Sequence, residues 1–145
     1  MKIAVTGKGG VGKTTFAALL CHIYEAAGTD VIAVDADPDS NLGATLGISV
    51  ADIPRPITDL KELIQERTGA DPAVPGSVYK LNPEVSDIPD MYCYARGSLK
   101  FLLMGTVKAG GKGCVCPESA FMKTLLAHLA IAREQCLVVD MEAGL

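Results

Sequence analysis

No apolar run in the chain approaches the roughly eighteen residues that a bilayer-crossing helix needs, so a helical membrane span is not expected. An excess of basic residues is missing too. Thirteen Lys and Arg stand against 17 Asp and Glu, and the formal net charge of -4 argues against a general binder of nucleic acid or anionic membrane, both of which call for a basic surface. There is no internal repeat and no low-complexity linker. Met1 leads straight into an apolar strand pattern, without the basic, apolar and small-residue sections of a signal peptide, so the protein is expected to be cytoplasmic. An even set of cysteines is also missing. Cys21, Cys93, Cys114, Cys116 and Cys136 are odd in number and, in a reducing compartment, read as thiols or metal ligands before disulfides. What remains is 145 residues, 49% hydrophobic, the length of one domain with enough apolar side chains for a packed core.

The apolar pattern alternates between strand and helix. Lys2 to Thr6 is a short apolar run entering glycine-rich sequence; Thr14 to Ala27 spaces Phe16, Leu19, Leu20, Ile23 and Tyr24 at helical intervals until Gly28. Val31 to Asp35 is short, β-branched and unbroken, which suits a strand covered on both faces. Asp59 with Glu62 can open a short helix ending near Gly69, and Tyr79 to Leu81 reads as a small strand. Leu99 to Met104 predicts a buried strand, Gly110 to Pro117 a loop, Ser119 to Arg133 a helix, and Cys136 to Asp140 a closing strand. The expected fold class is α/β: a mostly parallel sheet flanked by helices, joined by right-handed crossovers, with ligands at the carboxyl ends of the strands.

Gly7 to Thr14 reads GKGGVGKT and fits G-x-x-x-x-G-K-[ST] between a strand and a helix, the setting a phosphate-binding loop requires. Backbone N–H groups around Gly9, Gly10, Val11 and Gly12 can converge on phosphate oxygens, and the following helix adds its positive N-terminus. Lys13 would reach the β- and γ-phosphates of ATP, the Thr14 hydroxyl would ligate Mg²⁺, and Thr15 would contact the α-phosphate. Asp35 and Asp37, in VDADPDSN, fall at the end of one strand, and Asp140 follows the apolar run Leu137 to Val139 at the end of another. A strand-end aspartate beside a phosphate loop is placed to hold Mg²⁺ through water.

Cys114 and Cys116 lie one residue apart in a loop leading into a helix, where a helix N-terminus favours thiolate, the form that binds soft metals. Two ligands do not close a tetrahedral zinc or square-planar nickel site, each of which takes about four. A two-fold dimer contributing the pair from each subunit, or Cys93 joining from upstream, would supply the rest. Cys21 and Cys136 read as small buried apolar residues.

The segment KGGVGKTT resembles the deviant Walker A loop of the MinD, ParA, nitrogenase iron protein and arsenite-pump ATPase class. That resemblance implies that Lys8 acts across a dimer on the partner's nucleotide. It also implies that Asp37 in D-x-D-P orients or deprotonates the attacking water, with Asp35 nearer the Mg²⁺ shell. Asn41 would couple this switch to the dimer, and Gly144 would sense the γ-phosphate through its N–H. The combination of KGGVGKTT, C-x-C-P-E and DMEAG, with DADPDSNL, is similar over essentially the whole chain to the nickel-insertion ATPases of carbon monoxide dehydrogenase maturation, the CooC type. This likeness implies a homodimeric ATPase that holds Ni²⁺ or Zn²⁺ between paired Cys114 and Cys116 and delivers nickel to carbon monoxide dehydrogenase. Rival expectations are a MinD- or ParA-type switch without metal chemistry, an electron donor like the iron protein, and a non-catalytic metal store. The sequence stops at Leu145, short of the segments that bind adenine in the family, so residues 1–145 are expected to form a single, partial P-loop NTPase domain. It is read as a truncated product, a fragment or one half of an assembly, with weaker nucleotide affinity than a longer relative.

Overall fold

The two most apolar strand segments lie side by side: β2 (Val31–Ala36) and β5 (Cys136–Met141) are parallel, and each is buried along its length except at its last residue. The computed structural model of the chain describes residues 1–71, 77–106, 116–131 and 135–142. Around that pair, β1 (Lys2–Val5) joins β5 and β4 (Leu99–Leu103) joins β2, both parallel. β3 (Tyr94–Arg96) adds to β4 as the one antiparallel strand among the described residues, giving the order β1-β5-β2-β4-β3. The mostly parallel sheet expected from sequence is therefore observed. The β3–β4 hairpin was not foreseen, because Tyr94–Arg96 is too short and too polar to signal a strand.

Side chains alternate across the sheet and build a core on each face. Val31, Ala33, Leu99, Phe101, Cys136 and Val138 pack on one side with α1 (Lys13–Ala26) and α2 (Leu42–Thr45). Ile32, Val34, Leu102, Leu137 and Val139 pack on the other with α3 (Lys61–Thr68), α4 (Ile88–Met91) and α5 (Pro117–Ile131). Cys21 and Cys136 are fully buried in the first core, as small apolar residues would be.

Four local expectations change. The face of α1 against the sheet is Ala17, Ala18 and Cys21, whereas Phe16, Leu19 and Ile23 are 54%, 53% and 52% exposed, with Leu20 and Tyr24 partly buried. Small side chains let the helix backbone approach the sheet closely, so the larger apolar set faces outward. Asp59 does not cap α3: it ends a 3₁₀ turn, Ile57–Asp59, and Leu60 precedes the helix with no side-chain cap, although Gly69 does terminate it. Tyr79 to Leu81 forms no strand, although Lys80 N–H donates to Thr68 O at 2.8 Å. Finally, α5 begins at Pro117, where the missing proline N–H costs nothing in a first turn; most of the expected Gly110–Pro117 loop lies outside the described residues.

Candidate functional site

Parallel register brings three strand ends to one level. Val5 pairs with Asp140 across β1 and β5, and Asp140 pairs with Asp35 across β5 and β2. Adjacent strands are about 4.8 Å apart, so the loop leaving β1 starts two strand spacings from Asp35, with Asp140 between them. Chain reversal from β1 into α1 occurs through Gly7 to Gly12. Gly10 and Gly12 adopt φ of 79° and 90°, which only glycine tolerates without strain. A Cβ built at Gly9, Gly10 or Gly12 would meet no heavy atom within 4 Å, so the concave loop is open to a ligand that approaches the backbone. Gly12 directly precedes α1, and the first-turn amides of that helix lack intrahelical acceptors by geometry. A loop of this shape can cradle an oxyanion.

Two cations belong to the loop. Lys13 is largely buried and its Nζ lies 3.9 Å from Asp37 Oδ2, while Lys8 is exposed. Thr14 is half-buried; Val11 and Thr15 are exposed. The sequence gives Lys13 and Asp37 separate roles and does not reveal that the two side chains meet.

Asp35 is fully buried, and its oxygens accept from backbone: Oδ1 from Asp37 N–H at 3.2 Å and Oδ2 from Leu42 N–H at 3.0 Å. Burial raises its carboxyl from the ordinary 3.8 to about 6, against the lowering effect of the Leu42 and Asp37 amides and with additional raising by the Asp140 and Asp37 charges. Its described contacts therefore fasten the loop from Asp37 to Leu42. Leu42 was the other participant missed from sequence, since a backbone donor leaves no residue-type signature. Asp37 Oδ1 in turn accepts Asp39 N–H at 2.9 Å, an Asx turn that the Asp-Pro-Asp spacing favours. Asn41 precedes α2 and donates to Asp39 O from its side-chain amide.

Asp140 differs from both. It is fully buried and neither carboxylate oxygen has a hydrogen-bond partner among the described residues. An unpaired buried carboxylate is costly, and a hydrated divalent cation would satisfy it. The donor set of Asp140 and the Thr14 hydroxyl, hard oxygens at the mouth of an open phosphate cradle, fits Mg²⁺. When bound with nucleotide, that ion would supply charge neutralisation between phosphate oxygens.

Of the expected metal thiols, Cys114 lies outside the described residues, as does Gly144 among the nucleotide contacts. Cys116 is half-buried immediately before α5, and its carbonyl accepts Ala120 N–H at 3.0 Å. Cys93 is half-buried near Asp90 and Lys100; burial pushes its thiol upward. Among the described residues no group of three or more His, Cys, Asp or Glu side chains could hold a metal, so Cys93 and Cys116 are not brought into such a cluster.

A glycine cradle at the end of one parallel strand, a lysine at the start of the next helix and an unsatisfied aspartate on the neighbouring strand define a P-loop nucleotide-binding protein. The chain belongs to the family described as the CobQ/CobB/MinD/ParA nucleotide binding domain, whose model matches residues 2–143. It is 47% identical over 147 residues to the carbon monoxide dehydrogenase accessory protein CooC of Rhodospirillum rubrum, a match covering 100% of this chain and 56% of that protein. It is 44% identical over 145 residues to an uncharacterized ATP-binding protein of Methanocaldococcus jannaschii, again covering 100% and 56%. The chain thus spans little more than half the length of these curated relatives. A crystal structure of a plasmid partition protein from Borrelia burgdorferi superposes with a TM-score of 0.50 at 18% identity, over 97% of this chain and 54% of that one, a likeness of fold alone. No described helix is long and apolar enough to cross a membrane.

Proposed function

We propose that this chain binds and hydrolyses ATP with Mg²⁺ as part of an accessory protein for carbon monoxide dehydrogenase maturation, with nickel as cargo. The observation that carries the nucleotide part is the buried, unpartnered carboxylate of Asp140 one strand away from the β1 end that opens into the glycine loop. Lys13 would bind the β- and γ-phosphates; Thr14 and, through water, Asp140 would hold Mg²⁺; Asp37 would orient the attacking water. Lys8, exposed on the loop, would reach a partner subunit's phosphates and stabilise charge developing in transfer. Similarity to CooC over the whole chain supports the client and, with the paired thiols of Cys114 and Cys116, nickel held between two subunits.

The test has two arms. Mg·ATP binding and phosphate release are measured for the wild type and Lys13→Ala; Ni²⁺ and Zn²⁺ are titrated anaerobically into the wild type and a Cys114→Ala/Cys116→Ala double variant, with light scattering to follow mass. Expected are nucleotide binding lost with Lys13 and one metal per dimer lost with the thiols, the latter altered by ATP. Nucleotide affinity indifferent to Lys13→Ala would overturn the ATPase reading, and metal binding unchanged in the double variant would overturn the nickel reading.

A further inference from the structure

The ion pair between Lys13 and Asp37 links the two halves of the candidate nucleotide site. Lys13 begins α1 directly after the glycine loop that leaves β1, whereas Asp37 follows β2, and β5 lies between β1 and β2 in the sheet. Nζ and Oδ2 are 3.9 Å apart with side chains only 10% and 16% exposed, so solvent screens the pair less than it would a surface pair. Both ends are fixed. The aliphatic stem of Lys13 runs past Gly7, where a Cβ would lie 3.8 Å from Lys13 Cδ and 4.0 Å from Cγ. Asp37 is held through its own N–H by Asp35 and through Oδ1 by Asp39 N–H, which leaves Oδ2 to face the lysine.

We propose that the Lys13–Asp37 pair is a latch across the site, one that phosphate must open to reach the lysine. The inference rests on the nucleotide-binding reading above and adds a competition to it. A nucleotide diphosphate or triphosphate must take the Lys13 ammonium away from Asp37, and only then is the Asp37 carboxylate released to face a water molecule. Part of the attraction between Lys13 and phosphate is therefore offset by the lost ion pair, so nucleotide affinity and the Lys13–Asp37 contact become one equilibrium.

The test is ADP binding in EDTA, by calorimetry, for the wild type, Asp37→Asn, Asp39→Asn, Lys13→Ala and the Lys13→Ala/Asp37→Asn double variant. The latch predicts that Asp37→Asn binds ADP tighter by on the order of threefold to tenfold, the range of a modest ion pair. Asp39→Asn removes the same unit charge nearby without touching Lys13, and should change affinity by less than about twofold. In the Lys13→Ala background the Asp37→Asn gain should vanish, because there is no pair left to break. The latch is overturned if Asp37→Asn leaves ADP affinity unchanged, if Asp39→Asn produces an equal gain, or if the gain persists without Lys13, which would make it simple relief of charge repulsion. Should Lys13→Ala bind ADP too weakly to measure, the comparison of Asp37→Asn with Asp39→Asn decides. Failure of the underlying reading looks different: Lys13→Ala would bind ADP as the wild type does.

Discussion

Asp35 and Asp140 are paired partners across β2 and β5, both fully buried, yet one carboxylate is held by two backbone amides and the other by nothing among the described residues. Two anionic side chains at one level of a sheet repel, so the fold tolerates the arrangement only if something offsets it. For Asp35 the offset is internal; for Asp140 the described residues supply none, and a bound cation would. The two residues therefore carry different signatures on substitution, Asp140 in its response to Mg²⁺ and Asp35 in its response to pH.

Asp140→Asn removes a buried carboxylate that has no hydrogen-bond partner among the described residues. The metal-free protein is expected to gain roughly 1–3 kcal/mol in stability, while the increment that Mg²⁺ adds to nucleotide affinity disappears. Thermal unfolding in EDTA and ADP binding with and without Mg²⁺ check both halves; a variant that loses stability while keeping its Mg²⁺ response would contradict them.

For Asp35 the signature is in the pH dependence. Burial raises its folded-state value from 3.8 to about 6, so the folded protein holds this proton more tightly than the unfolded chain does. Its contribution to stability is full below the unfolded value and is lost as pH rises through about 6. Asp35→Asn does not titrate. Its stability relative to wild type should therefore improve between pH 5 and pH 8, by roughly 1 kcal/mol, as read from denaturant midpoints in the absence of nucleotide. A difference that stays flat with pH would remove the argument.

The orientation of α1 makes a prediction that the sequence alone would reverse. Leu19→Ser, at an exposed position, should alter stability by no more than about 0.5 kcal/mol, whereas Ala17→Leu, at a site with no exposure, should cost about 1–3 kcal/mol through overpacking against the sheet. Urea unfolding of the two variants ranks them.

Gly105 follows β4 with φ of 78°, and a Cβ there would collide with Thr58 Oγ1 and press on Pro56 Cβ. Gly105→Ala combines backbone strain with a clash against a segment that is itself tied back by Thr58 N–H donating to Met104 O at 3.1 Å. A loss of roughly 2 kcal/mol or more is expected in chemical denaturation. Adding Thr58→Ser, which keeps the hydroxyl, should not restore it.

The parts of this architecture that were legible in the sequence have local causes. GKGGVGKT must reverse the chain and expose its amides, and Val31–Asp35 and Cys136–Asp140 are short and apolar enough to read as strands, although their place inside the sheet is seen only in the strand order. What was not legible depends on distance in space. Nothing in Phe16, Leu19 or Ile23 reveals that α1 would present Ala17, Ala18 and Cys21 instead, because helical spacing fits both faces and the choice is made by the closeness of the sheet. The Lys13–Asp37 pair was hidden for the same reason: its members sit on different elements and meet only after the strands are ordered. The resemblance set Asp35 near the ion shell, while its described hydrogen bonds run to the backbone of its own loop.

Among the described residues β1 pairs on one side only, with β5, and its last residue, Val5, stands one step from the chain that becomes the phosphate cradle. The open side of Lys2–Val5 offers backbone amides and carbonyls to any strand that adds there. Such an addition would stiffen the root of the cradle, so whatever it contributes to nucleotide affinity, bound nucleotide must return to the added strand by the same factor. A strand added at this margin and a ligand in the cradle would meet at one joint, Val5, where β1 ends and the glycine loop begins.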